Sequence, residues 1–520
     1  MKILRSYIDG HWHEASDGFA TLVNPSTEEP VARVSSAGVD FGAALAWARE
    51  HGGPALRAMS FAQRGELLKA MSGVLREGRN ELLELSRINN GTTTRDGNFD
   101  IGGGSGTLGY YAGVARGLGD RTVLVDGDGV QLTRDESFWG QHVLVPRHGV
   151  AVFINAFNFP AWGFAEKAAC ALAAGMPMIV KPATATALVA ERAVEMVIEA
   201  GILPAGALQL VCGRTGDLLD RLGPQDVLAF TGSADTARIF RTHAHLVSVN
   251  VRLNVEADSL NAAVLGPDVA DDSVTMGLFL KDVAREMTQK TGQKCTAVRR
   301  ILVPAEQLTR VREQLIERLE KVVTGNPADE SVRMGPLATA AQLDDAIAGA
   351  AELSAEAAVV FGAGGRVDGI GSPAGKGYFF APTLLEAADA RAVDAIHRRE
   401  VFAPLATLLP YDGSTAEAAE VVALGGGTLV TSVYSDDEAW LGSYLAGAGS
   451  TTGRIYLGSE SSAGAAPGPG VALPQTLHGG PGRAGGGEEL GGAAGMRLYM
   501  QRLALQGSRV MVDAVAGNSD

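Results

Sequence analysis

The 520-residue sequence predicts an α/β protein with a doubly wound parallel sheet, a second α/β lobe and a small β extension. Three observations lead there. Between residues 149 and 255, five short apolar strands alternate with helical segments. A second alternating series runs from about 279 to 456, and a hairpin signature lies outside both, at 122–133.

The first 120 residues read as a strand-and-turn opening followed by helices, with apolar residues at helical spacing over 39–50 and 61–76. Thr122-Val-Leu-Val125, Asp126-Gly-Asp-Gly129 and Val130-Gln-Leu-Thr133 form a hairpin signature, the Asp-Gly pairs supplying the turn. Val150-Ala-Val-Phe-Ile154 is a strand that breaks at Asn155 to Pro160 and opens a helix over 162–174. Met178-Ile-Val180, Leu208-Gln-Leu-Val211, Val227-Leu-Ala-Phe230 and 247–254 supply four more strands, with helices over 188–200 and 235–242. Parallel neighbours need such crossovers, and ligands gather at the carboxyl ends of the strands they join. The second series runs through helix 279–291, strand 297–303 and helix 308–323 to Leu429-Val-Thr-Ser-Val-Tyr434 and Arg454-Ile-Tyr456. Stretch 458–492, rich in Gly, Ser, Pro and Ala, reads as a long irregular loop.

Charge and composition remove several function classes. The net charge is −15 with no Lys/Arg cluster, which disfavours a nucleic-acid partner because phosphates need a basic face. The N-terminus lacks the apolar core of a signal peptide, and the richest apolar run, near 149–165, is interrupted by Asn155, Asn158 and Pro160. Cys170, Cys212 and Cys295 are too few and too scattered for a disulfide framework. The expectation is a soluble cytoplasmic protein without a membrane partner.

Some motifs mislead. Gly104-Ser-Gly-Thr-Leu-Gly109 and Gly480-Pro-Gly-Arg-Ala-Gly485 both fit the dinucleotide spacing, yet neither follows a strand into a complete βαβ unit. His11-Trp-His13 and His243-Ala-His245 lack nearby further ligands, so surface histidines are the reading and no metal site is expected.

Other residues carry chemistry, each with a bland alternative. Cys295, in Gly292-Gln-Lys-Cys295, lies in a short polar turn beside Lys294, and reads as a nucleophile or as a small core residue. Glu256 ends the fifth strand and could face the cleft or serve a helix N-terminus. Asn158, between Phe157 and Phe159, could donate to an oxyanion or cap the next helix. Lys181 ends the second strand. Four such residues on one edge are not what chance placement usually gives.

The set Phe157-Asn-Phe-Pro160, Val180-Lys-Pro-Ala183, Phe230-Thr-Gly-Ser233, Glu256, Gly292-Gln-Lys-Cys295, Gly325-Asn-Pro327 and Glu400-Val-Phe402 resembles the aldehyde dehydrogenase superfamily, in order and spacing, across nearly the whole chain. The resemblance implies that fold. It places a doubly wound cofactor-binding domain at 1–120 and 145–257 and a catalytic domain at 258–457. An oligomerisation β-extension would occupy 121–144 and 493–515, and the loop 458–492 would border a substrate funnel. It implies that Cys295 attacks an aldehyde, favoured as thiolate by Lys294 and a local dipole. Asn158 and the Cys295 N–H would hold the oxyanion, and Glu256 would activate the water that cleaves the resulting thioester. The cofactor contacts it implies are Ile154, Asn155, Ala156, Phe157, Lys181, Ala183, Thr184, Gly232, Ser233, Ala257, Glu400 and Phe402.

Departures refine this. Thr184 stands where many relatives carry a glutamate that contacts the ribose 2′-hydroxyl. A neutral hydroxyl does not repel a 2′-phosphate, so NADP is the expected cofactor, with NAD possible. Phe157, Ala403 and Ala237 replace the usual Trp, Gly and Gly. The longer motifs Asn155–Pro160, Lys181–Thr186, Glu256–Asn261, Arg285–Met287 and His478–Gly492 resemble one branch of the family. That branch contains the aldehyde dehydrogenase part of the ring-opening enzyme of phenylacetate degradation and the semialdehyde dehydrogenase of the benzoyl-CoA epoxidation pathway. The implied substrate is therefore a small-molecule aldehyde linked to coenzyme A, acted on by a homodimer or higher homo-oligomer. Two alternatives stay open. One is a CoA-acylating enzyme, against which Glu256 argues, and the other is a silent scaffold of the same fold.

Overall fold

The computed structural model describes residues 1–135 and 137–517. Two seven-stranded sheets dominate it. In the first, β1 (Ser6–Ile8) and β2 (His11–His13) form an antiparallel edge. Five parallel strands complete it: β3 (Ala151–Ile154), β4 (Met178–Lys181), β5 (Leu208–Leu210), β6 (Val227–Thr231) and β7 (Arg252–Glu256). The order is β7-β6-β3-β4-β5-β1-β2. The chain winds outward from β3 through β4 and β5, then returns to β6 on the other side. The loops leaving β3 and β6 consequently diverge, and a crevice opens at their carboxyl ends.

Helices cover the sheet, so strands such as Ala151-Val-Phe-Ile154 are buried throughout and read as continuous apolar runs. The long helix α1 (Thr94–Leu118) packs on α2 (Trp162–Ala174). Asp100 of α1 accepts from the backbone N–H groups of Ala161 (3.3 Å) and Trp162 (2.7 Å), which caps the helix that leaves β3. Further crossovers are α3 (Ala187–Glu199) and α4 (Ala234–Arg241).

The second sheet comprises β8 (Ala262–Leu265), β9 (Arg300–Pro304), β10 (Ala358–Phe361), β11 (Thr383–Glu386), β12 (Leu405–Tyr411), β13 (Thr428–Tyr434) and β14 (Thr452–Gly458), in the order β10-β11-β12-β9-β8-β13-β14. All its pairings are parallel except β10 with β11. Helix α5 (Val274–Thr288) feeds the Cys295 turn from this lobe. A separate sheet pairs Met500–Ser508 antiparallel with Phe138–Pro146 over nine residues.

Several elements differ from the sequence reading. Leu124–Val125 and Val130–Gln131 do not pair with each other; both pair with Phe138–Pro146. That long strand offers ladder groups to both, and the Gln141 side chain donates to the Gly127 carbonyl at 3.0 Å. Residues 247–254 are not one strand, because a helix, Ala244–Ser248, turns through Asn250 at φ 54° before β7 begins. The stretch 458–492 contains a hairpin, β15 (Leu477–Gly479) with β16 (Glu488–Leu490). Beyond Ser508 the chain is helical, Arg509–Ala516. Among the described residues no helix is long and apolar enough to cross a membrane. The segment Gly104–Gly109 lies inside α1, so it forms no phosphate-binding turn.

Candidate active site

The crevice between the two sheets contains a cavity of about 50 Å³. Its wall brings together Asn158 from the loop after β3, Glu166 from α2, Glu256 from the end of β7, Cys295 and His478 from β15. Three of these meet as a set. The His478 Nε2 lies 3.3 Å from Oε2 of Glu256 and 3.8 Å from Sγ of Cys295. The other carboxylate oxygen of Glu256, Oε1, is buried and has no hydrogen-bond partner. It is an acceptor free to receive a water or a thiol proton.

The Cys295 turn is held by an unusual backbone. Lys290, Thr291 and Gly292 all adopt left-handed conformations, with φ of 52°, 57° and 67°. Gly292 is required twice over, since a Cβ there would also fall 2.4 Å from the Ala403 backbone. Arg299 donates to the carbonyls of Gly292 and Ala403, both at 2.9 Å, and the Asn261 amide donates to the Cys295 carbonyl at 2.7 Å. These bonds fix the thiol in the cavity. Cys295 is partly exposed, whereas Cys170 and Cys212 are buried.

The electrostatics divide into two linked groups. Burial and the adjacent Glu256 carboxylate push the Cys295 thiol well above its ordinary range. Lys294 does not counter this: its ammonium is fully buried and bonded to Glu286 and, at 2.9 Å, to Gln289. For Glu256, burial acts upward, but His478 and Lys167 outweigh it and hold the carboxyl below the usual range. His478 is held above its ordinary value because Glu256 outweighs the effect of burial.

The second group is Lys167, whose ammonium lies 3.2 Å from Glu166, 3.3 Å from Glu489 and 2.8 Å from the Thr231 hydroxyl. Glu489 also accepts from Asn254 at 3.1 Å. Burial raises the Glu166 carboxyl to about 7 despite Lys167, and the residue lines the cavity.

The Asn158 amide lines the same cavity, with Nδ2 donating to the Gln293 carbonyl at 3.0 Å. That bond ties the amide to the Cys295 turn and leaves its second hydrogen for a ligand oxygen. Most of the other expected residues lie at or just beyond the carboxyl ends of β3, β4, β6 and β7, and Glu400 and Phe402 come from the segment before β12. Ile154 and Asn155 are buried, while Ala156, Phe157, Lys181, Ala183, Thr184, Gly232, Ala257, Glu400 and Phe402 are half-buried and Ser233 is exposed. The rings of Phe157 and Phe402 meet edge to face at 5.8 Å. The Ser233 hydroxyl caps α4, and Thr184 donates to the Gly213 carbonyl at 3.2 Å. Glu400 accepts from the Ser259 N–H at 3.1 Å and pairs with Arg299 at 3.3 Å; burial raises its carboxyl to about 8.

A model of the aldehyde dehydrogenase family matches residues 12–502. The chain belongs to that family. As an aldehyde dehydrogenase it is an oxidoreductase acting on aldehydes with a nicotinamide cofactor. It is 44% identical over 478 residues to the 3,4-dehydroadipyl-CoA semialdehyde dehydrogenase of Aromatoleum evansii, a match covering 92% of this chain and 93% of that one. Lactaldehyde dehydrogenase of Escherichia coli has the same fold, with a TM-score of 0.83 at 24% identity over 97% of this chain and 99% of that one. So does betaine aldehyde dehydrogenase of Staphylococcus aureus in complex with NAD+, with a TM-score of 0.82 at 23% identity over 97% and 95%.

The sequence reading gave no role to His478, Glu166, Lys167 or Glu489. His478 and Glu489 sit in a stretch taken for an irregular loop, and Glu166-Lys167 lie inside an apolar helix. The one available signal was that charge pair itself, on a helix whose neighbours Ala165 and Ala168 are core residues.

Proposed function

We propose that this aldehyde dehydrogenase converts a CoA-linked semialdehyde into the carboxylic acid with NADP, through a thiohemiacetal and a thioester on Cys295. The observation that carries the chemistry is the convergence of Cys295, Glu256 and Asn158 on one cavity. Support for the substrate class comes from the 44% identity to an enzyme named for a CoA semialdehyde.

The edge residues suit a nicotinamide dinucleotide. Lys181 is half-buried, and no carboxylate offsets the burial that lowers its pKa, which leaves its ammonium available to a ribose or phosphate oxygen. Thr184 adds a hydroxyl without negative charge, which is why NADP is the proposed form. Phe157 and Phe402 would flank the nicotinamide, Glu400 its ribose and Ser233 the pyrophosphate, alongside the backbone of Ile154, Asn155, Ala156, Ala183, Gly232 and Ala257. When bound, the cofactor supplies a two-electron acceptor.

The chain's own residues do the rest. Sγ of Cys295 bonds to the aldehyde carbon as its proton passes to Glu256. The oxyanion so formed is held by the free hydrogen of the Asn158 amide and the Cys295 N–H. After oxidation, and once Glu256 has passed the thiol proton to solvent, its Oε1 accepts a proton from water, whose oxygen attacks the thioester. The C–S bond breaks, the proton passes from Glu256 to the sulfur, and the acid and the thiol are released. We assign residues 1–120 and 145–257 to cofactor binding, 258–457 to catalysis, 458–492 to the funnel rim, and 121–144 with 493–515 to assembly of a homodimer or larger homo-oligomer.

Steady-state comparison of a CoA-linked semialdehyde with a simple aliphatic aldehyde, under NADP and under NAD, tests the reading. The expected result is a kcat/KM at least about tenfold higher for the CoA substrate with NADP, a difference of about 1.4 kcal/mol. Equal values for the two aldehydes would remove coenzyme A from the proposal.

A further inference from the structure

We propose that His478 is the charge partner of the reacting pair: as an imidazolium beside both Glu256 and Cys295, it is the cation that pairs with whichever of the two is ionised and so supports the Cys295 thiolate. The proposal rests on Cys295 being the nucleophile and deepens that reading.

The geometry sets up the problem that His478 solves. Donor atoms of Cys295, Glu256 and His478 all lie within 4.8 Å of one another, and Glu256 and His478 are 3% and 5% exposed. An ionised thiol beside an ionised carboxylate in so dry a place is strongly disfavoured. Lys294, the nearest cation in sequence, is spent on Glu286. His478 is the side chain that touches both partners, at 3.3 Å and 3.8 Å.

The proton balance is simple. The S–H bond of Cys295 breaks, its proton bonds to Glu256, and the sulfur retains the electron pair. Before the transfer the set holds one carboxylate and one imidazolium. Afterwards it holds one thiolate and one imidazolium. Net charge in the cavity is unchanged, so no unpaired anion is created at any point.

The surroundings favour the charged imidazole on balance. Glu166 faces it from α2 and favours the cation. Arg454 of β14 opposes it, but that guanidinium is bonded to the Pro469 and Val471 carbonyls at 2.6 and 2.8 Å. Glu489 is the register partner of His478 in the β15–β16 hairpin, and it turns its carboxylate to Lys167 and Asn254. The hairpin thereby presents His478 to the thiol and its cross-strand partner Glu489 to the buried lysine.

The test reads thiol ionisation without aldehyde or cofactor, so its failure is distinct from failure of the substrate assignment. Alkylation of Cys295 by iodoacetamide is followed against pH in the unmodified protein, in His478→Gln and in His478→Phe, with the modified peptide located by mass spectrometry. The expected result is a midpoint raised by about one unit or more in both variants, the usual effect of losing an adjacent opposite charge. Turnover near pH 7 is expected to fall about tenfold and to recover partly at alkaline pH, with KM little changed. An unmoved midpoint in a folded His478→Gln protein overturns the proposal and leaves a purely structural histidine. Should both variants misfold, NMR titration of the His478 imidazole in the unmodified protein decides instead. A midpoint above the ordinary histidine value supports the role, and one below it overturns it.

Discussion

A single sulfur atom illustrates how far environment outweighs residue type. Cys295 carries a thiol that burial and Glu256 hold in the protonated state, so its reactivity depends on neighbours rather than on its own acidity. Turnover is accordingly expected to rise from neutral to alkaline pH, as a kcat/KM profile would show. The Glu256–His478 pair also has a defined stability window. Glu256 is depressed, so its contribution is lost as pH falls through its folded value; His478 is raised, so its contribution is lost as pH rises through its own. Melting curves should show the stability difference between the unmodified protein and His478→Gln to be largest between those limits and to shrink on either side. Lys167→Met would leave Glu166 and Glu489 without their shared cation, and a loss of about 3–5 kcal/mol is expected in denaturant unfolding. Thr184→Glu would place a carboxylate where a 2′-phosphate is proposed to lie. A tenfold or greater drop in kcat/KM with NADP, and little change with NAD, is the expected pattern.

At the scale of elements, legibility followed apolar patterning. Four of the five parallel strands announce themselves because β3, β4 and β6 are buried along most of their length and read as apolar runs, and in β5 Gln209 alone interrupts one. Glu256, Cys295 and Asn158 were legible as residues at the ends of such elements, and the structure brings them to one cavity. The β15–β16 hairpin was not legible. Its strands are three residues long, and they sit among glycines needed for close backbone approach, as at Gly479, where a Cβ would fall 2.0 Å from the Gly487 carbonyl oxygen. Three residues cannot display a period of two, so His478 was hidden with its strand. The Lys290-Thr291-Gly292 turn was also invisible, since two of its three left-handed residues are not glycine. Gly292→Ala is expected to displace the Cys295 turn and to reduce kcat more than a hundredfold.

For the whole molecule, the two sheets form the crevice while the third sheet stands outside both. Leu503, Val510, Met511 and Val515 are exposed along its strand and the terminal helix, as are Val130, Leu132 and Phe138 on the other strands and their connection. Such a face fits the proposed homodimer, and equilibrium sedimentation of Leu503→Arg/Val510→Arg should show a shift toward monomer if it forms the contact. Trapping separates the roles of Cys295 and Glu256. Glu256→Gln is mixed with NADP and the CoA-linked semialdehyde, quenched within the first turnover, and digested for mass spectrometry. The expected result is an acyl group on the Cys295 peptide, formed more slowly because the acceptor of the thiol proton is missing, and no more than one equivalent of NADPH without further turnover. Full steady-state turnover by this variant, or NADPH formation by Cys295→Ser, would contradict those roles.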